Sequence, residues 1–281
     1  MRAGDIPISL HTIHSAVQTL IYEATELLEG TLLFGKQVPR QVSVATLQDE
    51  ATNLKGRSFR DNKDNGLKGA SDWLTDQLSD DADLFDHFVC PPFSTEQDPH
   101  LTELLGLSGA RYRRDAIERY FEANQTFLQH MAVMFILTSA VPMSGEELAN
   151  VTWRNHSSPR NLRIHMGDIM LVTTIRQDGE DRPAARFLPS LVGNLLVRYL
   201  VYVEPFLSFF LSALRLPRTR PQLFIDEKSE VWTPQRFSDC MRRFSERLMG
   251  QSIGLSEWRE IAIAIDRRDL GGQSCKLYGV D

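Results

Sequence analysis

The residues best able to act on a phosphate are arginines. Of the 23 basic residues between positions 101 and 281, 21 are arginine, whose planar fork matches phosphate oxygens better than the lysine point charge does. Other chemistries find no support in residue spacing. The sequence contains no GxxxxGK[ST], so Gly35-Lys36 stands alone and no nucleotide-binding loop is expected. It also lacks GxGxxG and HExxH. His11 and His14 are three apart on an expected helix, a spacing possible for a metal but read here as a surface or core role. No metal or other cofactor is expected. Glu146 and Glu147 open a short helix, where carboxylates suit the helix dipole. Ser144 and Glu147 together form an S-x-x-E capping box.

The elements that must position these groups follow from periodicity. Ser9 to Glu29 carries apolar residues at helical spacing, and Pro39 with Val42–Leu54 suggests a second helix. Asn65-Gly66 reads as a tight turn, Ser71 as the cap of a helix running through Leu78, and DDADLFDHFV as another short helix. Three prolines in CPPFSTEQDPH (90–100) mark the expected boundary between a helical unit, 1–98, and a second domain, 101–270. That domain opens with a long helix from Arg111 to Thr138, followed by the short helix SGEELANVTW. NLRIHM, DIMLVTTI and AARFLP then read as a three-stranded antiparallel sheet with turns at Met166–Asp168 and Gln177–Pro183. Leu191–Leu214 is apolar enough to be mistaken for a membrane span. It holds Asn194, Arg198, Glu204 and Pro205, and charges near a bilayer centre are costly. Two buried helices broken at Pro205 are expected instead. Thr233-Pro234 starts a helix as N-cap and first-turn proline. A last helix begins near Ser256, and the tail 271–281 has no helical pattern.

Composition sets the class. The chain has 281 residues, 42% of them hydrophobic and 24% charged, as in a globular protein. Cys90, Cys240 and Cys275 are odd in number and widely spaced, which excludes a disulfide framework and favours a reducing compartment. MRAGDIPISL lacks the apolar stretch of a secretory signal. The net charge of −6 is uneven: residues 1–100 carry 8 basic against 16 acidic groups, and residues 101–281 carry 23 against 21. This balance is a poor electrostatic footprint for nucleic acid and leaves ordinary surface ion pairs open as the use of the arginines.

The order of elements from 111 onward resembles the catalytic domain of tyrosine recombinases, and one fungal branch of that fold in particular. Five blocks carry the resemblance in order: SFRDNKDNGLKGASDWL (58–74), TSAVPMSGEELANVTWRN (138–155), RNLRIHMGDIMLVTT (160–174), RFLPSLVGNLLVRYLVYVEPF (186–206) and WREIAIAIDRR (258–268). Members of that branch are recombinase-like domains in large fungal proteins, often with zinc-finger segments and a RecQ-like, telomere-linked helicase region. The resemblance implies a mainly α fold with a small antiparallel sheet, preceded by a helical N-terminal domain, the two forming a clamp around duplex DNA. It further implies a nuclear protein. No zinc-finger or ATPase signature occurs here, so a helicase or other chromatin partner would lie on another chain. The end at Gly279-Val280-Asp281 fits a truncated or differently spliced member.

In that family a tyrosine attacks the phosphodiester while two arginines, a sheet lysine and histidines assist. Matched by position, the first arginine is Ser144 here and the lysine is Arg176. The second arginine is kept as Arg259, with Glu260 and Ser256 at histidine positions, and Tyr278 is the one tyrosine after it. Arginine stays protonated and cannot donate a proton as lysine does, and Glu260 repels phosphate. The site therefore reads as degenerate, with Arg259 and Tyr278 its surviving catalytic candidates and Arg259 equally open to pairing with Glu257. Two functions are expected. One is weak, sequence-independent binding of double-stranded DNA through Arg160, Arg163, Arg176, Arg186, Arg242, Arg243 and Arg259. The other is a structural or protein-interaction role without DNA.

Overall fold

The computed structural model describes residues 8–50, 52–67, 69–90, 111–139, 142–177, 180–214 and 220–269. It is mainly helical with a small three-stranded antiparallel sheet. Helix α1 spans Leu10–Glu26 and is capped by the Ser9 side chain, which accepts from Thr12 N–H at 3.1 Å. It runs on as a π-helical turn, Leu27–Leu32. Helices α2 (Trp73–Asp80) and α3 (Ala82–Phe88) follow. The two-residue strands β1 (Val89–Cys90) and β2 (Arg111–Tyr112) pair antiparallel across the expected boundary, of which residues 91–100 lie outside the described ones. Side chains from both sides of that boundary share one hydrophobic core: Leu20, Leu28, Phe59 and Phe88 pack with Phe127, Met131, Phe206 and Phe237.

The central element is α4 (Arg114–Thr138), whose last two-thirds is buried nearly all round, as befits a helix surrounded by others. Next comes the five-residue helix α5 (Gly145–Ala149), then strands β3 (Leu162–His165), β4 (Asp168–Gln177) and β5 (Glu180–Leu188), ordered β3-β4-β5 as the sequence predicts. The β3–β4 connection is the two residues Met166 (φ 51°) and Gly167 (φ 85°), the left-handed pair that a tight hairpin of matching twist requires. Helices α8 (Pro234–Met249) and α9 (Leu255–Asp269) end the described chain, and the Thr233 side chain caps α8 as expected.

Two expectations are corrected. Val42–Leu54 is not a helix; apart from one 3-10 turn at Val44–Thr46 its described residues form no regular element. Two of its backbone donors are taken by distant side chains, Val44 N–H by Asn194 Oδ1 (2.8 Å) and Gln48 N–H by Asn65 Oδ1 (2.7 Å), while Thr46, Leu47 and Thr52 N–H bond to carbonyls two or three residues back. Pro205 does not break the apolar run. Helix α6 (Ser190–Arg198), a π-helical stretch Tyr199–Val203 and helix α7 (Glu204–Ala213) form one continuous rod. The π-helical stretch ends where Pro205, within the first turn of α7, has no N–H to give. By length and composition this rod could cross a membrane, but 72% of its apolar window is buried by the protein itself.

Helix α1 is fastened to α4 and α8 at one carboxylate. Arg247 donates to Glu23 through both terminal nitrogens, at 2.5 and 2.6 Å, and His130 Nε2 stands 3.1 Å from the same group. The Arg247 guanidinium holds the Glu23 carboxyl below its ordinary value of 4.5 against the opposing effect of burial. A carboxyl lowered in the folded state contributes stability above its unfolded value and loses it as the pH falls through the folded one. Glu23→Gln is therefore expected to lower stability at neutral pH and to flatten its decline below about pH 4.5. Urea titrations at several pH values check this, and an unchanged acid limb would refute it.

Candidate phosphate-contact site

The arginines singled out in the sequence have different fates. Arg160 is 3% exposed and wholly committed to the interior. Its Nη2 donates to Asp49 Oδ1 and to the Glu50 carbonyl (3.0 Å), and its Nη1 to Asn155 Oδ1 (3.0 Å) and the Arg57 carbonyl (3.4 Å). Asp49 uses its second oxygen to accept from Ile164 N–H in β3 at 3.0 Å. Asn155, equally buried, sends its amide to the Thr52 and Leu54 carbonyls (2.7 and 3.0 Å). One guanidinium thus fastens segment 49–57 to the loop before the sheet. As an expected DNA contact Arg160 is corrected, because none of its terminal nitrogens is directed to solvent.

Arg186, on β5, is likewise buried at 2% exposure. It donates to Thr173 Oγ1 on β4, and its Nη2 pairs with Glu147 Oε1 at 3.0 Å. Glu147 is also half of the capping box read from the sequence. Its Oε2 accepts from Ser144 N–H (2.8 Å), and Ser144 Oγ accepts from Glu147 N–H (3.1 Å). Ser144, Glu147 and Arg186 therefore do meet, but in a network joining α5 to the sheet, with Glu147 Oε1 facing Arg186 as an ion pair without a hydrogen bond. The N-terminus of α5 also presses on that of α8: a Cβ added to Gly145 would lie 2.7 Å from Pro234 Cα, so only glycine fits. Arg186, too, is corrected as a DNA contact.

The remaining positions are more open. Arg163 is half-buried on β3, with Nε 3.5 Å from the Arg160 carbonyl. Arg242 is 3.6 Å from Asp239, and Arg243 donates to Gln129 Oε1 while lying 5.4 Å from the Phe244 ring centre. Arg259 and Glu260 are both exposed on α9, which is fixed by Trp258 donating to the Ile136 carbonyl at 3.1 Å. Glu257, the alternative partner of Arg259, turns its carboxylate to Gly254 N–H at 3.0 Å. Arg176 lies opposite Asp181 in the β4–β5 register, and its side chain lies outside the described residues, as does all of Tyr278. The described residues contain no cluster of His, Cys, Asp and Glu able to hold a metal.

Residues absent from the sequence-level site prove central to it: Asp49 and Asn155, the ion pair of Arg60 with Glu204 (2.8 Å), and Trp153, over which Arg60 and Arg154 lie at 4.4 and 5.1 Å. Comparison with protein-family models, with curated proteins and with solved structures finds no match.

Arg160→Ala leaves Asp49 buried without its cation and is expected to cost about 3–5 kcal/mol, whereas exposed Arg259→Ala should stay within about 0.5 kcal/mol of the parent. Ser144→Ala removes the cap and should cost about 0.5–2 kcal/mol. Urea unfolding measures all three. Equal losses for Arg160→Ala and Arg259→Ala would contradict the assignment of Arg160 as an internal fastener.

Proposed function

We propose that this chain is a DNA-binding module of tyrosine-recombinase-like architecture that does not cut DNA. The observation that carries the second half is the Ser144–Glu147–Arg186 network. At the position where the resemblance calls for a phosphate-clamping arginine stands a serine whose hydroxyl caps a helix. The nearby cation, Arg186, is already neutralised by Glu147. Loss of one preorganised donor to a developing oxyanion typically costs about 100- to 1000-fold in rate. Glu260 beside Arg259 adds a negative charge where attraction is needed. Binding itself requires no such clamp, since contacts to phosphate are additive, non-directional in sequence and available to any exposed arginine.

A protein-interaction role without DNA is favoured by a different observation: carboxylates of the acidic first hundred residues neutralise arginines of the remainder. Glu29 pairs with Arg198 at 2.8 Å and Glu23 with Arg247. The two readings separate by anisotropy on a fluorescent duplex of roughly 30 base pairs, titrated from about 50 to 200 mM salt. The DNA-binding reading predicts association that weakens linearly in log–log form with salt, and no protein–DNA adduct on denaturing gels with a nicked substrate. Absence of binding at the lowest salt would favour the protein-interaction role. A covalent adduct abolished by Tyr278→Phe would overturn the non-cleaving assignment.

A further inference from the structure

Three stretches of this acidic chain contain no carboxylate at all. Between Glu50 and Asp61 lie Lys55, Arg57 and Arg60; between Glu147 and Asp168 lie Arg154, Arg160 and Arg163; between Glu204 and Asp226 lie Arg215, Arg218 and Arg220. That is nine basic residues without an acidic one in a protein whose net charge is −6. The fold joins described parts of the three stretches, at residues 56–57, 151–155 and 221–223. Gly56 N–H donates to the Asn155 carbonyl (2.8 Å) and Asn155 N–H to the Arg57 carbonyl (2.9 Å), joining the first to the second. Trp153 N–H donates to the Pro221 carbonyl (3.1 Å) and Leu223 N–H to the Val151 carbonyl (2.8 Å), joining the second to the third.

We infer that this junction, with Lys55, Arg57, Arg154 and Arg220 around Trp153, is the surface that receives the phosphodiester backbone of nucleic acid. The inference rests on the DNA-binding reading and moves its contacts away from the buried Arg160 and Arg186. Lys55, Arg57, His156 and Arg220 are exposed, and Arg154 is half-buried. The carboxylates packed beneath the junction are spent internally, Asp49 on Arg160 and Glu204 on Arg60. Glu50 and Asp61 are exposed at the ends of the first stretch, and Asp226 lines a small cavity with Arg220. Burial disfavours the charge on Arg154; Glu204 and, less, Asp61 offset this in part, and the Arg60 charge adds repulsion. The cations arise from three separate segments rather than one enclosed pocket, which suits a repeating polyanion better than a single phosphate. Backbone hydrogen bonds between the segments fix their spacing before any ligand arrives, which limits the ordering cost of binding.

The test compares full-length protein with Arg57→Gln/Arg154→Gln/Arg220→Gln and, as a control surface, with Arg242→Gln/Arg243→Gln/Arg259→Gln. Each is titrated against the same duplex over about 50 to 200 mM salt. Each phosphate contact contributes about 0.9 to the log–log salt slope, so the first triple variant is expected to lose close to 3 from the slope and to bind at least about 10-fold more weakly at low salt. The control triple should lose less. A double variant, Arg57→Gln/Arg220→Gln, leaves the Arg154–Trp153 stack intact and should lose about 2 from the slope should the triple variant prove unfolded by circular dichroism. A wild-type chain that binds, with binding lost in the control triple and kept in the junction variants, would overturn this inference and leave the DNA-binding reading standing. A wild-type chain that binds no duplex would overturn both. Junction-dependent capture of a polyphosphorylated peptide without duplex binding would assign the surface to a protein partner and overturn the nucleic-acid assignment.

Discussion

The buried contact between Arg160 and Asp49 is the constraint on which the rest of the arrangement depends. Taking a guanidinium and a carboxylate out of water is expensive, and their attraction repays this only with good geometry and further hydrogen bonds. Here those bonds exist, from Arg160 to two carbonyls and Asn155, and from β3 to Asp49. The pair is best understood as fixing register. It sets segment 49–57 against the start of the sheet, which Asn155 completes by holding the carbonyls of Thr52 and Leu54. Lys55 and Arg57 lie on the segment that this frame fixes, and backbone bonds from Trp153 and Leu223 add the segment that carries Arg220.

The same residue type serves two opposite ends in this protein. Arg60, Arg160 and Arg186 lie inward, where a planar fork with several donors can satisfy carboxylates and carbonyls at once. Arg60 and Arg160 neutralise Glu204 and Asp49, whose partners belong to the segments of the basic junction, while Arg186 neutralises Glu147 at the corner of α5 and the sheet. Lys55, Arg57 and Arg220 face water. The interior arginines thereby raise the local potential of the exposed ones by silencing acidic neighbours, so an acidic protein can present a basic face. The Ser144–Glu147–Arg186 network belongs to the same economy of charge. It builds the corner between α5 and the sheet out of groups that a phosphoryl-transfer site would need to leave open.

Much of the fold was legible where the signal is local. The S-x-x-E of Ser144–Glu147 is a capping box, Thr233-Pro234 starts α8, and alternating runs form β3, β4 and β5 in order. What was illegible depends on partners far along the chain. Asp49 lies 111 residues from Arg160, so nothing near either residue shows that both are buried. Segment 42–54 has helical spacing but gives the N–H groups of Gln48 and Val44 to Asn65 and Asn194, the latter 150 residues away from Val44. Pro205 reads as a breaker, yet the π-helical turn before it lets the rod continue. The basic junction did leave a trace in the sequence, though not as a motif. It is the absence of carboxylates from three separate stretches, which counting charges over long halves of the chain averages away.

The division of arginines into interior fasteners and a phosphate-receiving surface is tested most directly by phenylglyoxal modification of the native protein, read residue by residue by mass spectrometry with and without duplex DNA. The account predicts that Arg160 and Arg186 stay unmodified in both conditions, while Arg57, Arg154 and Arg220 react in the free protein and are protected by the duplex. Ready modification of Arg160 or Arg186 in the folded protein, with protection by DNA, would contradict it.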